Sequence, residues 1–299
     1  MLVIFPGALG DLMCLMPALA AIARRHAEAS VELMARFELA RLAAGRSVVA
    51  RGHSIDAREV GALFSDDASV DARRLFGDFD RIYSFFASDD SRYRARLAAA
   101  TDGEVSFHPF RPGGDGHVSD GYLRAIGIED EVAPPVDAWL EPTADDIAAA
   151  ARAIAQLKCD SSKLVVIFPG SGSPAKNWPA EKFAALTSML SNVVVILGAA
   201  EVSIEPVFRE AGVAMLKDLD LPTVAAIARV AAAFVGNDSG VSHLAAAAGG
   251  SGVVIFGPTE PARWRPKALG GARIEILRRE RLDSLETSEV AGIVSKFVA

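Results

Sequence analysis

Lysine is absent from the first 150 residues; all seven lysines of this 299-residue chain come later. The first half sets fifteen arginines against twenty-four acids, a net charge of −9, while residues 151–299 set sixteen bases against fourteen acids, a net +2. Neither half is a polycation, which argues against nucleic acid as the main ligand and leaves the second half the better host for a phosphate group. Cysteine is scarce as well. Cys14 and Cys159 cannot build a disulfide framework, so a reducing compartment is expected. No apolar run reaches the roughly 18 residues of a membrane span, and Met1 leads into LVIF without the basic region of a signal peptide. His, Cys and Asp are nowhere grouped at metal-ligand spacing, so no metal is expected.

What remains is a folding chain, 51% hydrophobic, too long for one ordinary core and suited to two domains. One phrase recurs: LVIFPGALG from Leu2, VVIFPGSGS from Val165 and VVIFGPTEP from Val253. Each is a short β-branched run that breaks at Gly and Pro, as strands buried on both faces of a parallel sheet do. Strands are expected at 2–5, 31–35, 80–86, 104–108, 164–168, 193–197, 233–236 and 253–256. Helices are expected near 11–26, 37–44, 91–100, 117–126, 180–190, 202–211, 222–230 and 240–248. This alternation predicts an α/β fold of two successive Rossmann-like, doubly wound domains. The Pro-rich stretch Val132 to Thr143 reads as the linker, dividing the chain into 1–140 and 141–284. A final helix over 285–299 has no strand after it and is free to pack back on the first domain. Residues 48–74 carry no pattern that assigns them.

Open α/β sheets bind ligands at the carboxyl ends of their strands, so those loops are where function is sought. The sharpest is VGNDSGVSHLAAAAGG, Val235 to Gly250: a strand, a tight turn, then a helix start capped by Asp238 or Ser239. Free amides at Ser239 and Gly240 would attract an anion, phosphate above all; a plain capped helix is the bland alternative. His243 lies on that helix, where a lone histidine is most often structural. In FPGSGSPAKNWP, Ser171, Gly172 and Ser173 offer hydroxyls and amides, and Lys176 adds a cation suited to phosphate. Glu201, one turn past the strand ending at Leu197, suits ribose hydroxyls or the helix dipole. Trp264, in FGPTEPARWRP, suits stacking or packing. The first loop, PGALGDL, presents Gly7, Gly10 and Asp11. Phe5 stands where a dinucleotide fingerprint needs glycine, which disfavours NAD. Asp11 is placed either to complement the helix dipole or to act as a general base.

Taken in order, PGALGDLMCLMPAL, FPGSGSPAKNWPAEKFAAL, LGAAE, VGNDSGVSHLAAAAGG and FGPTEPARW resemble the successive signatures of glycosyltransferase family 9, the ADP-heptose:lipopolysaccharide heptosyltransferases and their relatives. The resemblance covers most of the second half and about the first 25 residues. It implies a GT-B architecture of two facing Rossmann-like domains, acceptor on the first and nucleotide-sugar on the second. It also implies inverting, metal-independent transfer from an ADP-sugar, without a cofactor, to a glycan or glycolipid such as the lipopolysaccharide inner core. By position, Asp11 matches the catalytic base beside Gly7 and Gly10. Ser171, Gly172 and Lys176 match the donor-phosphate loop, and Glu201 the ribose acid. Leu219 matches an adenine contact, and Asp238, Ser239, Gly240 and His243 match the diphosphate and sugar element. A cytoplasmic location follows, with at most peripheral contact at the inner face of the inner membrane. Two alternatives stay open: a relative using another nucleotide-sugar or acceptor, and a catalytically silent nucleotide-binding partner. Residues 36 to 132 match nothing in the family.

Overall fold

The computed structural model describes residues 1–65, 69–128, 136–157 and 163–299, with the side chains of 69 and 70 left aside. Cys159 and the start of the expected linker, 132–135, lie outside the described residues. The chain forms two compact units, Met1–Ala133 and Pro134–Ala299.

The first unit runs β1 (Leu2–Ile4), α1 (Leu9–Arg25), β2 (Val31–Ala35), α2 (Phe37–Ala43), β3 (Val49–Ser54), α3 (Arg58–Ala62), α4 (Ser69–Phe76), β4 (Arg81–Ser84), α5 (Ser91–Ala99), β5 (Glu104–Phe107) and α6 (Val118–Ala125). Its strands form one parallel sheet in the order β3-β2-β1-β4-β5. Leu2, Ile4 and Ile82 point from the central strands into an apolar cluster with Phe76, Tyr93 and Leu97 from the covering helices. Burial on both faces is why β1 reads as an unbroken apolar run.

The second unit runs α7 (Ala144–Ala155), β6 (Val165–Phe168), α8 (Ala180–Thr187), β7 (Val193–Leu197), α9 (Glu205–Glu210), β8 (Ala214–Lys217), α10 (Leu221–Val230), β9 (Ala233–Asn237), α11 (Gly240–Ala247), β10 (Gly252–Phe256), α12 (Pro261–Trp264), β11 (Ile274–Arg278) and α13 (Thr287–Val298). The six strands are parallel, in the order β11-β10-β9-β6-β7-β8. Counted from β6, that is the doubly wound order 3-2-1-4-5-6, whose direction of winding reverses between β6 and β9. The corresponding reversal in the first unit lies between β1 and β4.

Every strand and helix expected from the sequence is present within a few residues of its expected bounds. Three strands were not expected: β3, in the unassigned stretch, β8 and β11. The segment before α7 belongs structurally with the second unit, where Trp139 and Leu140 both donate to the Ala247 carbonyl, at 2.9 and 3.1 Å. The final helix, which the sequence left free to cover the first domain, buries Val290, Ala291 and Val294 in the core of the second unit. Among the described residues no helix is long and apolar enough to cross a membrane.

Candidate functional site

The crossover between β6 and β9 is where a doubly wound sheet opens a crevice beyond its strand ends. Two loops meet there. Asn237, the last residue of β9, is followed by Asp238 and then Ser239, which is the true N-cap of α11: its hydroxyl oxygen accepts from Ser242 N at 3.4 Å. The expected choice between Asp238 and Ser239 is thereby resolved, and Asp238 is released for another task. Its carboxylate, only 5% exposed, accepts from Lys176 Nζ at 2.7 Å. Lys176 closes a short 3-10 turn, Pro174–Lys176, in the loop after β6, and its side chain is 33% exposed. The ammonium has three N–H donors, so one bond to Asp238 leaves two for a ligand.

The rest of that loop is turned in on itself. Ser171 Oγ donates to the Ser173 carbonyl at 2.8 Å and accepts from Ser173 N at 3.2 Å, while Gly172 is exposed. On α11, Gly240 and Val241 sit in the first turn, where backbone N–H groups have no intrahelical acceptor. His243 follows one position after Ser242, buried and engaged by its neighbours.

The next two strand ends carry the other expected groups. Glu201, in the 3-10 turn after β7, folds back so that Oε2 accepts from Gly198 N at 2.9 Å. Gly170 allows this: a Cβ there would come within 2.5 Å of the Glu201 carboxyl carbon. Leu219, half-buried, lies beyond β8 between Asp218, held at φ +53°, and Asp220, which caps α10 through Thr223 N at 3.0 Å. Because β9, β6, β7 and β8 are consecutive neighbours in the sheet, Asp238, Lys176, Glu201 and Leu219 follow one another along a single edge. Trp264, on α12, is half-buried with the Arg263 guanidinium 5.7 Å from its ring centre.

In the first unit, Asp11 occupies the third position of α1, and its Oδ2 accepts from Ala8 N at 3.1 Å. That bond closes the start of the helix, and it occupies one oxygen. Beneath it, Gly7 is buried so tightly that a Cβ would lie 2.7 Å from Phe5 Cζ and 2.8 Å from Asp11 Cβ. The Phe5 ring is itself enclosed edge-on by Phe85, Phe110 and Tyr122 at centroid distances of 6.0, 5.6 and 5.8 Å. Gly10 lies in the first turn of α1, half-buried.

Sequence reasoning passed over Asn237. Its side chain is fully buried, with Oδ1 accepting from Trp178 N at 2.9 Å and Nδ2 donating to the Pro169 carbonyl at 2.8 Å. The signal was present as a polar residue ending an otherwise apolar strand. Among the described residues, no group of three or more His, Cys, Asp or Glu is arranged to hold a metal.

The model of glycosyltransferase family 9 (heptosyltransferase) matches residues 138–287. No curated protein matches the sequence. Among solved structures, the chain is similar to a family 9 glycosyltransferase from Veillonella parvula, with TM-score 0.80 and 16% identity over 99% of this chain and 96% of that one. It is also similar to the E. coli ADP-heptose lipopolysaccharide heptosyltransferase II, with TM-score 0.75 and 18% identity over 99% and 98%. A third likeness is to the E. coli heptosyltransferase WaaC, solved with ADP, with TM-score 0.70 and 18% identity over 99% of both chains.

Proposed function

The chain belongs to glycosyltransferase family 9 and is a glycosyltransferase of heptosyltransferase-like, GT-B fold; from that premise we propose that it moves a sugar, heptose first among the candidates, from an ADP-sugar to a hydroxyl of a glycan or glycolipid. The lipopolysaccharide inner core is the acceptor this reading names, reached from the cytoplasm by at most peripheral contact with the membrane. The observation that carries the proposal is the run of Asp238, Lys176, Glu201 and Leu219 along adjacent strand ends, starting at the β9–β6 crossover and continuing past β7 and β8. These four, with Ser171, Gly172, Ser239, Gly240 and His243, form the donor seat.

In this reading the α11 amides and the Lys176 ammonium receive the diphosphate, Glu201 takes the ribose hydroxyls, and Leu219 lies against the base. The free oxygen of Asp11 accepts the proton of the acceptor hydroxyl as that oxygen attacks the anomeric carbon. The bond to the diphosphate breaks on the opposite face, which inverts the configuration, and the charge on the departing ADP falls to Lys176 and the helix terminus. Those fixed donors take the place a metal ion holds elsewhere, so neither metal nor cofactor is required.

Thermal shift in EDTA with ADP, UDP and NAD, paired with a transfer assay on Asp11→Asn, tests the proposal. ADP should stabilise the protein most, and Asp11→Asn should bind ADP normally while losing transfer by about 10²- to 10⁴-fold. Stabilisation by NAD alone would remove the reading, a preference for UDP would change the donor, and normal turnover of Asp11→Asn would leave Asp11 only its bond to Ala8.

A further inference from the structure

The ten residues from Pro169 to Trp178 make up the loop that carries Lys176, and both ends of the loop are held by one side chain. Asn237 receives Trp178 N at 2.9 Å and donates to the Pro169 carbonyl at 2.8 Å from a fully buried position. The partners settle which end of the amide is which, since an N–H can only donate and a carbonyl only accept. They also settle why the residue is asparagine. Aspartate would keep the bond to Trp178 N but set a carboxylate against the Pro169 carbonyl; serine is too short to span both; an apolar residue would leave two buried backbone groups unpaired. The same residue also holds the opposite wall, because Ser242 Oγ, in the first turn of α11, donates to the Asn237 carbonyl at 2.7 Å. Gly236, one residue earlier, lets that turn press on the strand: a Cβ there would lie 2.5 Å from Ser242 Oγ. Trp178 gives the loop a second anchor, its ring buried against Phe183 at 4.8 Å and its Nε1 donating to the Leu285 carbonyl at 3.2 Å.

We infer that Asn237 is a positioning residue for the donor diphosphate: it touches no ligand and acts by fixing the loop that delivers Lys176 to Asp238. The span between its two bonds is the span within which Lys176 must turn back on the residue that follows Asn237. With either bond gone, the loop is free to hinge about its remaining anchor, and the ammonium no longer has a fixed place. The inference rests on the donor-seat reading only for the identity of the ligand. The geometry that places Lys176 stands without it.

Two measurements separate the two claims. The first needs no nucleotide: labelling of Lys176 by an amine-reactive reagent, read by mass spectrometry with exposed Lys296 as internal reference. Asn237→Asp and Asn237→Ser should each speed Lys176 labelling about fivefold, the factor expected from one lost hydrogen bond, with Asp238→Asn as the control that frees the lysine outright. The second is a double-mutant cycle on binding of ADP and AMP. Asn237→Asp and Lys176→Met should each weaken ADP about tenfold and AMP less, and the double variant should bind ADP no worse than the weaker single one. A lower melting temperature with unchanged affinity per folded molecule would be a structural role alone. Unchanged labelling in both Asn237 variants, or additive losses in the cycle, overturns the inference. If the unaltered protein binds no ADP, the donor reading falls, and the labelling still decides the role of Asn237.

Discussion

Lys176 Nζ lies 2.7 Å from Asp238 Oδ2, joining residues 62 positions apart at the one place where the winding of the second sheet reverses. The carboxylate is buried and stands beside the first turn of a helix; the lysine that neutralises it remains a third exposed. A buried carboxylate next to a bound diphosphate would repel it, so the pairing is what makes this carboxylate compatible with an anion. Removing Lys176 alone leaves Asp238 charged and uncompensated. Lys176→Met should therefore lower the stability of the second unit by about 1–2 kcal/mol, discounted for the exposed lysine. Lys176→Met/Asp238→Asn should recover part of that loss. Urea unfolding followed through the tryptophans of the second unit measures both alongside Asp238→Asn, and a loss in the double variant equal to the sum of the two single losses would show that the pair carries no coupling.

A second prediction concerns Gly7. Its φ is not in the left-handed region, so the need for glycine is one of space: Phe5 and Asp11 both close on it. The Phe5 ring cannot yield, since Phe85, Phe110 and Tyr122 surround it. The backbone at position 7 must then shift, and with it the start of α1 that carries Asp11. Gly7→Ala should fold with unaltered circular dichroism, bind ADP normally, and lose transfer by about 100-fold, the scale of a 1 Å misplacement of a reacting group. Full activity in that variant would mean that the position of Asp11 is unimportant to the reaction.

How much of this was readable beforehand depended on where each residue sits in its sheet. The interior strands β1, β6, β9 and β10 are buried on both faces and appear as continuous apolar runs. The strands not expected, β3, β8 and β11, all lie at sheet edges, where one side faces water and the pattern is broken by Arg51, Gly52 and His53 in β3, by Lys217 in β8 and by Glu275 in β11. Glycine and proline marked the strand-end loops, and parallel topology brought those loops to one edge, so the candidate groups could be named one by one. Their pairing could not. Nothing local distinguishes Asp238 from Ser239 as a cap, and the partner that draws Asp238 away is 62 residues distant. Asn237 was hidden for the same reason, since both its bonds are long-range.

Acid should weaken the first unit through His108. The Ala125 carbonyl at 2.7 Å can only accept, so Nδ1 carries the proton and Nε2 receives Ser106 Oγ at 2.9 Å, with the ring stacked on Tyr83. Burial lowers its pKa below the ordinary 6.5, partly offset by the Ala125 carbonyl. His26, bonded to Tyr83 at 2.9 Å, is lowered in the same sense, by burial first and then by Arg81 and Arg25. A histidine that resists protonation when folded gains a proton more readily when unfolded. Stability is therefore full above about pH 6.5 and declines as pH falls from there toward the lowered folded values. Urea midpoints for the first unit should drop between pH 7 and pH 5, and His108→Gln should flatten that slope; an unchanged slope would remove His108 as its source.

Gly170 allows the ribose assignment to be tested without touching Glu201. A Cβ at position 170 would stand 2.5 Å from the Glu201 carboxyl carbon and 2.7 Å from its Cγ. Unlike the enclosed Phe5 ring, a glutamate side chain half in solvent can swing aside, so Gly170→Ala should fold with little loss of stability. The swing would break the bond from Gly198 N to Oε2 and carry the carboxylate away from its place beyond β7. If that carboxylate receives ribose hydroxyls, ADP should bind about tenfold more weakly, the value of one good charged hydrogen bond, while inorganic diphosphate, which has no ribose, should bind as before. Equal weakening of ADP and diphosphate would place the damage in the phosphate loop instead. Unchanged ADP binding would reduce Glu201 to a group that closes its own turn.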